Sequence, residues 1–191
     1  MSTTRGTERR SRATVLRRHG VRALTAGAAL AAALMAVAGP AHATTNVSVS
    51  GSLLQVVSGA ASDEITVTQL GNRLIVQNNG DVVIPAAPCV AISKNQSACP
   101  ATGVTLIAVS TGDGDDDVRN RTTLRSRVAL GSGSDTFAGG TAVDLAAGQD
   151  GDDRLAGLAG DDVLIGAAGL DSANGGDGTD KCDAETVTLC E

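Results

Sequence analysis

Aromatic side chains are almost missing from these 191 residues: tryptophan and tyrosine do not occur, and Phe137 is the only phenylalanine. A thick core built on rings is thereby excluded. Histidine is nearly as scarce. His19 and His42 both fall in the first 43 residues, so a chain starting at Thr44 has none. That excludes Ser-His-Asp and Cys-His catalysis, histidine-ligated zinc and histidine general-base chemistry together. No apolar or amphipathic membrane segment follows residue 43, which argues against pore formation or lysis.

Residues 1–43 read as an export signal. Seven arginines (Arg5, Arg9, Arg10, Arg12, Arg17, Arg18 and Arg22) precede an apolar run from Ala23 to Ala38, which is followed by Gly39-Pro40 and the small-x-small site Ala41-His42-Ala43. The run is Ala-rich and shorter than the roughly 20 residues a spanning helix prefers. Cleavage is expected after Ala43, giving a secreted, extracellular chain with no transmembrane segment. Arg17-Arg18 lacks the strong apolar pair of a twin-arginine signal, so the export route stays open. Without this segment, eight basic residues face 20 acidic ones, a net charge of −12. Such a surface repels phosphate backbones, which argues against nucleic acid, and its natural partners are cations.

Four cysteines, Cys89, Cys99, Cys182 and Cys190, lie in the exported part. An even count outside the cytosol suggests disulfides, and of the three possible pairings the short spans favour Cys89–Cys99 and Cys182–Cys190. Each bridge would contribute roughly 2 to 3 kcal/mol by restricting the unfolded chain. A site of four thiolates would need closer CxxC-type spacing.

Residues 44–110 form a small β-rich region of short strands, signalled by alternating runs such as NVSVS, EITVTQ and RLIVQ. Val47, Val56, Ile65, Leu74 and Val83 fall nine residues apart, which suggests a repeating strand-plus-turn unit. ITVTQLGNRLIVQ reads equally well as an antiparallel hairpin turning at Gly71-Asn72. Both readings are all-β.

From Thr111 the period hardens. TGDGDDDVR (111–119) and a degenerate RTTLRSRVA (121–129) are followed by six unbroken nonads, LGSGSDTFA, GGTAVDLAA, GQDGDDRLA, GLAGDDVLI, GAAGLDSAN and GGDGTDKCD, from Leu130 to Asp183. Glycine and aspartate alone would suit a flexible acidic linker. A linker, however, has no reason to keep an apolar residue two places after each aspartate.

These nonads resemble GGxGxDxUx, the RTX or haemolysin-type calcium-binding nonapeptide of secreted bacterial proteins. The resemblance implies a parallel β-roll, a β-solenoid in which six residues of each nonad form a loop and three a short strand, with two nonads per right-handed turn. It assigns Asp116, Asp135, Asp144, Asp153, Asp162, Asp171 and Asp180 as calcium ligands. Gly112, Gly114, Gly131, Gly133, Gly151, Gly160, Gly169, Gly176 and Gly178 become the loop positions that bend and offer carbonyls. Phe137, Ala146, Leu155, Leu164, Ala173 and Cys182 become the interior. Calcium takes six to eight oxygen ligands, and 18 residues per turn would stack Asp135, Asp153 and Asp171 on one edge and Asp144, Asp162 and Asp180 on the other. About four interloop Ca2+ ions are expected, with a fifth if Asp116 or Asp117 meets the Asp135 loop; Asn120, inserted between nonads, leaves that register open. Ala142, at the second loop-glycine position, should weaken the loops of Asp144, and RTTLRSRVA carries no ligand.

One apolar residue per nonad is a thin interior, too little to offset the ordering of the chain, so the repeats are expected to fold on binding calcium. The domain reading is a signal at 1–43, a β-rich region at 44–110 with its Cys89–Cys99 loop, a roll at 111–183 and a disulfide-stapled cap at 184–191. The cap should cover the open end of the solenoid. The function expected is calcium-ion binding with a structural or adhesive extracellular role and no catalysis, the further partners being extracellular polymers or cell-surface components. The alternative is a calcium-dependent polysaccharide-active enzyme using the arginines Arg119, Arg121, Arg125 and Arg127 beside Asp115–Asp117. Asp63-Glu64 reads as turn and strand-start chemistry, and the arginines as charge balance.

Overall fold

The structure is a computed structural model and describes residues 44–190. The expected export segment 1–43, with its cleavage site after Ala43, lies outside the described residues. The strands are β1 (Thr44–Ser50), β2 (Leu53–Val57), β3 (Glu64–Leu70), β4 (Arg73–Asn78), β5 (Val82–Pro85), β6 (Val90–Ser93), β7 (Gln96–Pro100), β8 (Leu106–Asp113) and β9 (Asp117–Arg121). They continue as β10 (Arg125–Ser132), β11 (Thr136–Ala138), β12 (Asp144–Asp150), β13 (Arg154–Ala159), β14 (Val163–Ala168), β15 (Ser172–Asp177), β16 (Lys181–Asp183) and β17 (Thr186–Thr188). The described chain is all-β.

The strands form two sheets, ordered β16-β14-β12-β10-β8-β2-β1-β5 and β17-β15-β13-β11-β9-β3-β4-β7-β6, and from β8 onward successive strands alternate between them. From β8 onward every neighbour in a sheet is parallel. This is the parallel β-solenoid expected of the nonads, two strands to a turn. Its first turn is made by β2 and β3, which pair in parallel with β8 and β9.

The hairpin reading of the N-terminal region is the one the fold adopts. β3 and β4 are antiparallel, with Leu70 opposite Arg73 across Gly71-Asn72. Val47 and Val56, nine residues apart, are opposite each other in the antiparallel β1–β2 pair, so their spacing records a hairpin register. β5 joins the edge of the first sheet and β6–β7 adds to β4. Cys89–Cys99 ties that outer hairpin, and Cys182–Cys190 forms at the far end.

Inward side chains line up in two columns. One runs Val47, Val56, Val109, Val128, Ala146, Leu164, Cys182 and the other Ile65, Val118, Phe137, Leu155, Ala173. The bulk falls along the axis. Beyond Phe137 the fully buried apolar side chains are Ala146, Leu155, Leu164 and Ala173.

Candidate metal centre

Each turn of a two-sheet solenoid has two corners, and the sixth residue of each nonad stands at one of them. Loops leading from the first sheet to the second carry Asp63, Asp116, Asp135, Asp153 and Asp171; those leading back carry Ser126, Asp144, Asp162 and Asp180. All eight aspartates are buried, at 0 to 3 % exposure. Within each column one carboxylate oxygen, Oδ1, accepts the backbone N–H of the aspartate in the preceding turn: Asp63 to Asp116 at 2.8 Å, Asp116 to Asp135 at 2.8 Å, Asp135 to Asp153 at 2.9 Å and Asp153 to Asp171 at 2.9 Å. On the opposite corner, Asp144 N–H donates to Asp162 at 2.7 Å and Asp162 N–H to Asp180 at 2.8 Å. A second, outer zipper runs the other way: Asp115, Asp152 and Asp161 accept N–H groups of Ser134, Leu170 and Thr179 one turn later.

The other oxygen is left over. Oδ2 of Asp63, Asp116, Asp135, Asp153, Asp162, Asp171 and Asp180 is buried without a hydrogen-bond partner. Buried carboxylate oxygens are costly unless hydrogen-bonded, paired or bound to a cation. Space for them is set by glycine. A Cβ on Gly148 would stand 1.9 Å from Asp153 Oδ2, so the first residue of that nonad must lack a side chain. Gly151 meets the other demand. Its φ is +128°, and a Cβ there would lie 1.8 Å from the Gly133 carbonyl of the turn below, so loop backbones touch directly. The nine loop glycines singled out from the sequence all have φ between +102° and +146°.

Asp144 differs. Its Oδ1 accepts Ser126 N–H at 2.8 Å, Ser126 Oγ at 2.7 Å and Asn120 Nδ2 at 3.3 Å, and its Oδ2 accepts Gly140 N–H at 2.6 Å. With Ala142 in place of glycine, this loop satisfies its carboxylate from protein donors. The degenerate nonad 121–129 completes a normal turn, with Ser126 at the aspartate position. The extra residue Asn120 is absorbed there, and Asp116 is the column member. Asp117 starts β9, opposite Thr136, and pairs with Arg119.

Burial pushes the Asp135 and Asp162 carboxyls up to about 6, with neighbouring aspartates adding to the rise against backbone hydrogen bonds that lower it. Burial likewise raises Asp116 and Asp153. Each column holds several carboxyls that the protein leaves without counter-charge. Among the described residues no three acidic, cysteine or histidine side chains gather into a side-chain cage. An ion here would draw on loop carbonyls as well, an all-oxygen donor set that fits calcium or magnesium rather than zinc.

Two column members were not legible as such in the sequence. Asp63 heads one column, and Glu185 ends it, its Oε2 accepting Asp171 N–H at 2.8 Å. Ser58-Gly59-Ala60-Ala61-Ser62-Asp63-Glu64-Ile65 does place glycine, aspartate and an apolar residue in the nonad pattern, which was the available signal. The four arginines do not form one cluster. Arg119 and Arg121 lie on β9 in the second sheet and Arg125 and Arg127 on β10 in the first, and Arg119 is paired with Glu64 and Asp117. A groove of about 770 Å³ beside Arg119, Arg121, Thr122 and Gly140 opens by the Asn120 insertion.

Comparison with known families matches the RTX calcium-binding nonapeptide repeat, in four copies, to residues 130–164 and again to 147–182. Neither the curated proteins nor the solved structures give a match.

Proposed function

From a chain that carries RTX calcium-binding nonapeptide repeats wound into a β-solenoid, we propose a secreted calcium-binding protein that folds its repeat half around the metal and serves a structural or adhesive role outside the cell. Residues 1–43 direct export and are removed after Ala43. The observation that carries the reading is the pair of carboxylate columns, in which every aspartate except Asp144 has one oxygen hydrogen-bonded within the protein and one buried with no partner.

Asp116, Asp135, Asp153 and Asp171 on one corner, and Asp162 with Asp180 on the other, hold the ions together with carbonyls of the glycine loops. Asp144 is the weakest ligand because Gly140 and Ser126 already occupy its oxygens. Bound calcium supplies the positive charge that lets stacked carboxylates approach without repulsion. The chain's own part is to hold Oδ1 of each aspartate on a backbone N–H, so the second oxygen is presented in a fixed direction. About four ions bind, or five with Asp116. The net charge of −12 after cleavage and the two disulfides suit an extracellular site, where calcium is abundant and thiols are oxidised.

Calorimetric titration of calcium into the full chain tests this. The expected result is at least two bound ions with a heat signature of coupled folding; fewer than two would reject the stacked-corner sites. A binding screen against extracellular polymers, with and without calcium, then identifies the adhesive partner.

A further inference from the structure

The carboxylate column does not stop where the nonads do. Loop 58–63 stacks on loop 111–116 as the repeat loops stack on one another. Ser58 N–H donates to the Ser110 carbonyl at 2.9 Å, Asp115 N–H to Ser62 Oγ at 3.1 Å and Asp117 N–H to the Asp63 carbonyl at 2.8 Å. A Cβ on Gly112 would stand 2.6 Å from the Gly59 carbonyl, and one on Gly114 2.7 Å from the backbone of Ala61. These are the contacts that Gly151 makes further along, and loop 58–63 is in effect an unannounced first loop of the roll.

This loop has one thing the repeats lack. The turn before β5 sets Asp81 against the Asp63 loop, a Cβ on the preceding Gly80 lying 4.0 Å from Asp63 Cα. Gly80 lets the turn come close, since a Cβ there would be 2.9 Å from the Ser62 carbonyl. Asp63 is 97 % buried, at 3 % exposure. Its Oδ1 takes the Asn78 amide at 2.5 Å, while Oδ2 has no partner, and neither has Oδ2 of Asp81. Among the described residues no salt bridge reaches either, and Arg119 of the same pair of turns is engaged by Glu64 and Asp117. Two neighbouring carboxylates with unpartnered, buried oxygens favour a cation from outside.

We propose a further divalent-cation site, outside the nonapeptide repeats, held by the carboxylates of Asp63 and Asp81 with backbone oxygens of their loops, and taking calcium. Asp116, one turn on, adds its charge to the field. The site differs from those between repeat loops because one ligand comes from a hairpin turn. An ion there pins the β4–β5 turn to the first turn of the solenoid and joins the hairpin layer to the calcium state of the roll.

The inference rests on the calcium reading above, and its test separates the two. Calcium bound per chain is measured by equilibrium dialysis at neutral pH for the full chain, for Asp81→Asn, for Asp63→Asn and for the double variant. The expected result is the loss of about one ion from each single variant and no further loss from the double, since both ligands serve one site. Asp81, half-buried in a turn, is the decisive position if Asp63→Asn does not fold. Calcium binding by the wild type with an unchanged count in Asp81→Asn would overturn this site alone. A double variant that loses two ions would also overturn it, by showing separate sites. A wild type that binds no calcium overturns both readings.

Discussion

The hairpin half and the repeat half share two sheets but are stabilised differently. Around β1 to β10 the interior is filled by Leu54, Val56, Ile65, Val67, Leu74, Val76, Ile107, Val109, Val118 and Val128, all at most 5 % exposed. Antiparallel hairpins and a buried disulfide reinforce it. Beyond Phe137 four buried apolar residues remain, two of them alanine, beside five buried aspartates, Asp144, Asp153, Asp162, Asp171 and Asp180. Burial of aliphatic side chains stabilises a structure by itself; burial of carboxylates does so only with a partner. The same wound backbone can thus be self-sufficient at one end and conditional on metal at the other.

Chelation should have the largest effect. Removing calcium should cost the chain its β-structure from about Leu130 to Asp183 while leaving Thr44 to Ser110 folded, seen as a partial rather than complete loss of the β signal in circular dichroism. An equally β-rich spectrum in chelator would remove the distinction.

Truncating the apolar half should give the converse. Ile65→Ala, at a side chain with 0 % exposure, should destabilise the hairpin half by about 3 kcal/mol, and by the same amount with calcium or chelator present. Chemical denaturation under both conditions measures it; a cost that disappears in chelator would tie this half to metal too.

Within the columns, Asp162 and Asp144 sharpen the contrast. Asp162→Asn keeps an oxygen for the Asp144 N–H but removes the charge, and should weaken calcium at its sites by at least tenfold, about 1.4 kcal/mol. Asp144→Asn should cost less than about threefold, because its oxygens are already satisfied by protein donors. Titration of the two variants side by side decides this, and equal losses would contradict the role given to Gly140.

Acid offers a subtler test. Asp135 and Asp162 are raised from 3.8 to about 6 in the folded state, so the metal-free roll binds these protons more tightly than the unfolded chain does. Their contribution to stability is therefore present below about pH 4 and lost as pH rises through about 6. In chelator, the repeat half should hold more β-structure near pH 4.5 than at neutrality, with calcium reversing the order. A roll that grows steadily more stable from acid to neutral pH in chelator would contradict the unpaired columns.

The smallest effect concerns the loops. Leu158 holds φ +76° at a position where the nonapeptide carries glycine, and it is 53 % exposed. Leu158→Gly should stabilise the calcium form by about 0.5 to 1 kcal/mol, relief of the left-handed conformation outweighing the added chain entropy. A lower melting temperature would show that the leucine is held by packing.

Most of the roll was legible because period is a local property of a sequence. Six gapless nonads, at 18 residues per turn, place Asp135, Asp153 and Asp171 in one column and Asp162 with Asp180 in the other, and the short cysteine spans point to both bridges. Asp63 was not legible because its column partner, Asp116, is 53 residues away rather than 18 or 19. The hairpins from Leu70 to Thr105 leave the solenoid and return between the two turns, which hides the repeat. Glu185 escaped because the last turn is short, 14 residues from Asp171, and uses a longer side chain to reach the same N–H. The choice between hairpin and nine-residue repeat at 44–110 was undecidable from spacing alone, since antiparallel partners such as Val47 and Val56 are also nine residues apart.

The most direct test of the two-halves account is hydrogen exchange resolved by peptide, on the full chain in calcium and in chelator. Amides of β3, β4 and β8 should stay protected in both, while those of β12 to β16 should be protected in calcium and exchange freely without it. Equal protection of the two sets in chelator would contradict it.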